Sequence, residues 1–360
     1  MANNPKSEKK VSEVKLALLR SFVTAPEARN EEKKEPYPGG RFKRFKDIFV
    51  ANSQDLMMVN VLTILFALPI IAVVMFITIL GAEKFGYMLE SIKETPYLMG
   101  GLGVGLSQGA SIASAKVMML MSYRIMILAI AVFIPVLGVG FAGAMYVCQK
   151  IVWGERFLTK KDKKTGADVN RTITEYFRGV KAYWKEMVLT FALYAVFFAG
   201  GAELILEFVG ALWGGYLNVG HYFAVIIGAI ILLISSMVFV NLVPQVVSYD
   251  KTLKYAEKLK NSFLYTITFF VPGLFMTAFA FLPIALMFIG GFFTFIVLIL
   301  CMSVGLSYMA LVMTNYGDYN SENVLQVLYS QSQMVENRKS KKDKKNNGQQ
   351  GPVNYKKKKK

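Results

Sequence analysis

Residues 154–188, GERFLTKKDKKTGADVNRTITEYFRGVKAYWKEMV, form the largest polar break in the interior of this chain, and long apolar segments lie on both sides of it. The break begins with a cluster of lysines and turns at Gly166. Apolar side chains then recur at helical spacing, at Ile173, Phe177, Val180, Trp184 and Met187. A charged loop followed by a basic amphipathic helix that leads into an apolar segment is typical of the cytoplasmic side of a membrane protein.

The composition supports that interpretation. Of the 360 residues, 54% are hydrophobic and only 18% are charged, which is too apolar a balance for an ordinary soluble domain. We therefore predict an all-α fold, a polytopic membrane bundle of about six transmembrane helices with amphipathic helices on the cytoplasmic side. Cys148 and Cys301 both lie inside apolar runs and His221 is the single histidine, so the sequence predicts no disulfide, no metal site and no cofactor.

Six apolar segments are long enough to cross a hydrocarbon core of ~30 Å at 1.5 Å per residue. We predict spans at about residues 56–80, 125–148, 187–209, 222–247, 263–288 and 292–313. The chain is then divided into a polar cytoplasmic tail (1–40), a six-span membrane domain (41–315) and a basic, disordered cytoplasmic tail (316–360). The cytoplasmic loops of the membrane domain are residues 149–186 and 248–262.

The distribution of positive charge predicts the orientation in the membrane. Of the 41 lysines and arginines, 37 fall on the side of the two termini, and the other 4 lie between the first and second spans. In this division none falls inside a span. The positive-inside rule therefore predicts a multi-pass protein of the cell membrane with both termini in the cytoplasm.

Small residues mark the segment between the first two spans. Gly101, Gly105, Gly109 and Ala113 recur every four residues, which would form a continuous stripe on a helix and let another backbone approach closely. Two interpretations stay open for residues 97–115, a re-entrant membrane segment and a flexible external loop.

Three basic, aromatic-bearing segments precede the first, third and fifth spans. They are RFKRFKDIFVANSQDL (41–56), EYFRGVKAYWKEM (175–187) and TLKYAEKLKNSFLY (252–265). We expect the first to lie on an anionic leaflet, and all three to form a collar of cytoplasmic helices beneath the bundle. The alternative is that any inward-facing start of a span attracts such residues.

Four stretches of the chain resemble the YesL-like integral membrane proteins of Gram-positive bacteria. They are NVLTILFALPII (60–71), GFAGAMYVCQKIVWGERF (140–157), TEYFRGVKAYWKEM (174–187) and NLVPQVVSYDKTLKYAEKLKNSFLYTI (241–267). The resemblance covers roughly residues 41–316 and departs from the family in the insert after the first span and in the long polar ends. It implies a membrane protein of five or six spans, often associated with carbohydrate uptake systems, and implies no activity.

Few polar residues lie within the predicted spans. Asn60, Thr63, Asn241 and Gln245 are expected to form hydrogen bonds between helices. Glu203 and Glu207 lie one turn apart near the outer end of the third span, with His221 after the following loop, and this set is a candidate polar pathway. The alternative is an interfacial pair of carboxylates that water reaches.

The helix before the third span carries the candidate partner or lipid surface, formed by Arg178, Lys181, Trp184 and Lys185. The alternative is that these side chains only snorkel at an interface. The bilayer, anionic headgroups and a membrane transporter complex are the expected partners. We do not expect nucleic-acid recognition, because no folded reader module accompanies the oligolysine tail.

Two functions remain open. The first is a non-enzymatic accessory or regulatory membrane protein that docks a membrane or cytoplasmic partner, with a link to carbohydrate transport implied by the resemblance. The second is a secondary transporter or channel for a small solute or ion. We expect no enzymatic activity, because the sequence has no metal triad, no pair of nucleophile and base, and no phosphate-binding loop.

Overall fold

The computed structural model describes residues 41–93, 112–152, 159–161, 168–248, 253–287 and 291–317. The predicted N-terminal tail, nearly all of the C-terminal tail and most of the segment 97–115 lie outside the described residues, so the predictions for them stay predictions.

Within the described ranges the chain is almost entirely helical. The α-helices are α1 (Arg41–Ala51), α2 (Ser53–Lys93), α3 (Ile112–Val152), α4 (Thr172–Gly214), α5 (Val219–Ser248), α6 (Tyr255–Thr268), α7 (Phe270–Leu286), α8 (Gly291–Leu300) and α9 (306–317). A π-helical turn, Cys301–Gly305, joins α8 to α9. Two short antiparallel strands, β1 (Thr159–Lys161) and β2 (Asp168–Asn170), lie between α3 and α4, with Lys160 opposite Val169.

The predicted all-α, polytopic membrane bundle is confirmed. Among the described residues, 5 helical segments are long and apolar enough to cross a membrane, or up to 6 if the bent pair α6 and α7 forms one span. The helices α2, α3 and α4 contain 41, 41 and 43 residues. At 1.5 Å per residue each is about 60 Å long, roughly twice the thickness of the hydrocarbon core. The predicted loop 149–186 therefore contains the end of α3, the strands and the first turns of α4.

Long neighbouring helices pack closely where one of them lacks a side chain. α3 lies between α2 and α4 and runs antiparallel to α4. A Cβ atom at Gly143 of α3 would lie 2.8 Å from the ring of Tyr176 on α4, and one at Gly228 of α5 would lie 2.7 Å from the carbonyl oxygen of Gly201 on α4. Only glycine fits at these two crossings.

The two ends of the bundle differ in how much of the helix surface is covered. At the first, which we name the core end, α3 and α5 end and α4 begins, and every residue of 239–247 in α5 is buried. At the second, the open end, α5 begins and α4 ends, and Phe223, Ile226 and Ile230 are exposed. Apolar side chains exposed along a membrane-spanning helix face lipid, so lipid reaches this part of α5.

The predicted fifth span, 263–288, is not one straight helix. α6 and α7 meet at an angle of 107° around Phe269. Pro272 has no N–H group, so the carbonyl of Thr268, four residues earlier, loses its helical donor and the helix breaks there. α6 packs against the end of α5 through hydrogen bonds spaced one turn apart, Gln245 to Ser262 and Asn241 to Thr266, and α7 leaves it at the bend.

Candidate functional site

An ion cluster joins α3 to α4 at the open end. The side chain of Arg124 on α3 lies between Glu203 and Glu207 of α4. Its Nε atom is 3.4 Å from Oε2 of Glu203, and its Nη2 atom donates a hydrogen bond to Oε2 of Glu207. The three side chains are 30%, 31% and 48% exposed in that order. The two carboxylates thus share a face, as predicted, but a guanidinium lies against both of them.

The charge count placed Arg124 directly before the predicted second span, 125–148, whereas the apolar helical segment of the structure contains it. It lies inside the apolar segment Met119–Val152, whose partner helix is α4. The sequence does contain a signal for it, because Arg124 directly precedes a long apolar run and follows a shorter one (117–121), and an arginine in that setting requires a counter-ion. Glu203 and Glu207 are the carboxylates that the predicted third span offers at the same level.

Among the described residues, His221 has no contact with this cluster. Its Nδ1 atom accepts a hydrogen bond from the backbone N–H of Asn218 at 3.2 Å, and its backbone N–H donates to the side-chain oxygen of Asn218. Its ring also meets the ring of Tyr216 edge to face, with centroids 5.6 Å apart. These contacts fix the turn before α5, so the predicted set of Glu203, Glu207 and His221 is not assembled as one site.

A second ion pair lies at the core end. The Nζ atom of Lys258 on α6 is 2.6 Å from Oε2 of Glu186 on α4, and the lysine side chain is 0% exposed, whereas that of Glu186 is 34% exposed. A buried ammonium is stable only with a counter-ion and hydrogen bonds around it. The charge count had treated Lys258 as an ordinary loop lysine. Its position on a polar helical stripe of α6 is the signal that identifies it as buried.

That polar stripe faces the protein. Its members recur at helical spacing and are all buried: Lys258, Asn261, Ser262, Tyr265 and Thr266. Ser262 accepts a hydrogen bond from Nε2 of Gln245 at 2.7 Å, and Thr266 accepts one from Nδ2 of Asn241 at 3.3 Å. The opposite face exposes the apolar side chains of Phe263 and Ile267.

The predicted collar of cytoplasmic helices stays a prediction. The polar stripe of α6 is enclosed by α4 and α5, whereas Lys254 and Lys260 of the same segment are exposed. An amphipathic helix with its apolar face outward is suited to contact with acyl chains. α6 therefore belongs to the membrane-facing surface of the bundle.

A further ionic network closes the core end around the start of α4. The buried carboxylate of Glu175 accepts a hydrogen bond from Nζ of Lys150 on α3 at 2.8 Å. Thr172 donates to Oδ1 of Asp55 at the start of α2, at 2.6 Å. The hydroxyl of Tyr176 donates to the carbonyl of Gly140 at 3.0 Å. The first turns of α4 are therefore held on one face by both α2 and α3.

Asn60 bridges α2 to the π-helical turn. Its Nδ2 atom donates to the carbonyls of Cys301 and Met302 at 3.1 and 2.8 Å, and its Oδ1 atom accepts from the N–H groups of Leu306 and Ser307 at 2.7 and 3.1 Å. One fully buried amide thus satisfies backbone groups that the wider π turn leaves without α-helical partners. The predicted interhelical hydrogen bonds of Asn60, Asn241 and Gln245 are confirmed, as is that of Thr63, whose hydroxyl is 3.3 Å from that of Tyr176.

The predicted partner surface lies on the opposite face of the first turns of α4. Its four residues, Arg178, Lys181, Trp184 and Lys185, are all exposed, and Nζ of Lys185 is 5.7 Å from the centre of the Trp184 ring. Ile173 and Phe177, 48% and 51% exposed, continue the same face. We name these six residues the α4 face.

The apolar helices and the bent pair together define a multi-pass helical membrane protein. Comparison with known proteins adds nothing to that class, since no family model, no curated protein and no solved structure matches the chain. The resemblance to YesL-like proteins therefore stays a prediction.

Proposed function

We propose that this protein is a non-enzymatic accessory or regulatory component of the membrane, and that it docks a protein partner through the α4 face. The observation that carries the proposal is the exposure of Phe177, Trp184 and Ile173 on a helix whose other side is fixed. Large apolar side chains that form a contiguous exposed patch mark interaction surfaces. On the buried side, Glu175 and Tyr176 hold the helix rigid, so the surface is pre-organised for binding.

The length of α4 supports a location of this face outside the hydrocarbon core. α4 contains 43 residues, whereas about 20 residues cross the bilayer. When Trp213, near the end of α4, is placed at one interface, the first ~20 residues of the helix lie at or beyond the other. The α4 face, from Ile173 to Lys185, belongs to that part. Acyl chains therefore do not cover its apolar side chains, and a protein partner is needed to remove them from water.

The charge of the face indicates the chemistry of the partner. Arg178, Lys181 and Lys185 surround the apolar side chains. The nearest carboxylates are those of Glu175, which is buried beside Arg178, and Glu186, which is 34% exposed and pairs with Lys258. An acidic surface with an apolar centre complements this pattern. The positive-inside rule supports a cytoplasmic location, and the YesL-like resemblance supports a partner from a carbohydrate uptake complex.

Photo-crosslinking from position 181 in living cells tests the proposal. We expect one protein species to be captured. The charge reversal changes Arg178, Lys181 and Lys185 to Glu, so in that variant the crosslinker is moved to position 177, and capture should be lost. Lys43 and Lys46 of α1 are also exposed, and their change to Glu is the matched control that should retain capture. Crosslinks to lipid alone, or capture indifferent to the charge reversal, would contradict partner docking.

A transporter or channel is the second candidate, favoured by the break between α6 and α7. Broken helices with buried polar groups form the substrate sites of many transporters. Among the described residues, Oε1 of Gln245 and Oγ1 of Thr277 are buried without a hydrogen-bond partner. Solute flux into proteoliposomes that is abolished by Gln245→Leu would favour this function. Flux that instead disappears in Glu203→Gln and Glu207→Gln would locate the pathway at the open end.

A further inference from the structure

A groove with a volume of about 670 Å³ lies between α4, α5 and α6. Its lining is almost wholly apolar and includes Leu193, Phe197, Ile230, Ile234, Leu259 and Phe263. Cavities of ~300–1,000 Å³ are of the size that binds small organic ligands. The lining excludes a ligand that is polar along its length, because few groups are present to replace its hydrogen bonds with water.

The groove begins where α4 enters the bilayer. α6 meets α4 at Glu186, through Lys258, and at Thr190, whose hydroxyl is 3.2 Å from that of Tyr255. These contacts lie at the boundary between the α4 face and the part of α4 that crosses the membrane. α6 is thus at the level of the interface, and the groove runs from it into the hydrocarbon.

The length of the groove matches one leaflet. On α5 its lining extends from Leu242 to Ile230, or about 18 Å of helix at 1.5 Å per residue. Half of a hydrocarbon core of ~30 Å is about 15 Å. An acyl chain that starts at the interface would therefore be covered along most of its length.

A cation lies at the interfacial end of the groove. Lys260 lines the groove and is exposed, whereas the neighbouring Lys258 points inward to Glu186. Within the described ranges, Lys260 pairs with no carboxylate. Lys260 is two residues beyond Lys258, whose contact with Glu186 places the start of α6 at the interface, so its level is close to that of lipid phosphates.

We propose that the groove binds one acyl chain of a glycerophospholipid, and that Lys260 pairs with its anionic headgroup. The apolar lining, the length of one leaflet and the cation among the residues that line the groove are the features that such a lipid requires. The site differs from the α4 face, and its occupancy does not depend on partner docking. A bound lipid would extend the contact between α4, α5 and α6 and so support the orientation of α6.

Native mass spectrometry of the full chain tests this site. The protein is taken from nanodiscs that contain equal amounts of phosphatidylglycerol and phosphatidylcholine with the same palmitoyl and oleoyl chains. We expect one phosphatidylglycerol to be retained. Ile234→Trp fills the groove and should abolish retention of both lipids. Val196→Trp, on a 70% exposed position of α4 outside the groove, is the control and should retain the lipid.

Lys260→Ala separates the headgroup from the acyl chain. One lysine near an anionic surface changes lipid affinity about fivefold, so the preference for phosphatidylglycerol over phosphatidylcholine should fall by about that factor while a lipid is still retained.

Should Ile234→Trp not fold, Ser235→Trp serves in its place, because Ser235 also lines the groove. Retention that survives a filled groove, a loss of lipid in the Val196→Trp control equal to that in Ile234→Trp, an unchanged headgroup preference in Lys260→Ala, or a protein that keeps no lipid would each overturn the proposal.

Discussion

The ion clusters at the two ends of the bundle both pair a cation with carboxylates, but in different surroundings. At the open end, the side chain of Arg124 is 30% exposed and touches two carboxylates that are 31% and 48% exposed. At the core end, Lys258 is 0% exposed and has one carboxylate partner, Glu186. Every member of the first cluster is at least 30% exposed, whereas only one member of the second is. The contribution of each charge to stability should therefore depend on its own burial and not on the strength of its pair.

The largest effect is expected at the core end. Glu186→Gln leaves the Lys258 ammonium buried without a counter-ion, which should lower the free energy of unfolding by about 3–5 kcal/mol. Lys258→Met removes the buried charge and leaves Glu186, 34% exposed, to be hydrated, so its cost should be much smaller. Unfolding in mixed micelles with increasing sodium dodecyl sulfate, followed by circular dichroism, measures both. The double variant should recover most of the loss. Equal costs for the two single variants would contradict the asymmetry.

Asn60 tests whether burial alone, without charge, has a comparable effect at the core end. Asn60→Leu leaves two carbonyls and two N–H groups at the π-helical turn without their partner, and we expect a loss of about 3 kcal/mol. Asn52 is the control, because its amide bonds only the carbonyl of Ile48 in the preceding turn of the chain. Asn52→Ala should cost about 1 kcal/mol or less. The same unfolding measurement applies, and similar losses at the two positions would show that the contacts at the turn do not act together.

The sequence predicted the class of fold and several of these contacts because both depend on local signals. Long apolar segments and their spacing are sufficient for a polytopic helical bundle. A polar amide such as Asn60 in an apolar segment requires a partner in any packing, so the existence of its hydrogen bonds was predictable without the identity of the acceptors.

The remaining features depend on which helix faces meet, and no local signal encodes that. Arg124 pairs with Glu203 and Glu207 only because α3 and α4 pack antiparallel in one register, across about 80 residues of chain. The stripe of α6 is visible in the sequence, but its pattern is the same whether the polar face meets water or protein. The outward apolar face follows from the polar partners that α4 and α5 provide, which is a property of the assembled bundle.

Glycines extend the comparison of the two ends to packing without polar groups. At the core end, a Cβ atom at Gly179 would lie 2.5 Å from Cβ of Tyr146, whereas one at Gly200, further along the same helix, meets nothing within 4 Å. Gly179→Ala should therefore lower the free energy of unfolding by about 1–3 kcal/mol. Gly200→Ala should leave it unchanged or raise it by up to ~1 kcal/mol, because alanine favours the helix. A loss in Gly200→Ala equal to that in Gly179→Ala would mean that the surface at Gly200 is covered as closely as that at Gly179.

The smallest effects are expected at the open end. Interhelical polar contacts in membranes contribute about 0.6 kcal/mol on average, so Glu203→Gln and Glu207→Gln should each cost less than ~1 kcal/mol. Each single variant leaves Arg124 one carboxylate, and the loss should therefore appear mainly in the double variant, which should cost more than the two single variants added together. Arg124→Leu should cost at least as much as the double variant, because it leaves two like charges one turn apart on α4. Unfolding of all four variants in the same micelles measures this coupling. Strictly additive losses from the two glutamate variants would show that Arg124 does not hold the glutamates as one cluster. The different cost of losing a charge at the two ends would then depend on the number of carboxylates around each cation and not on exposure.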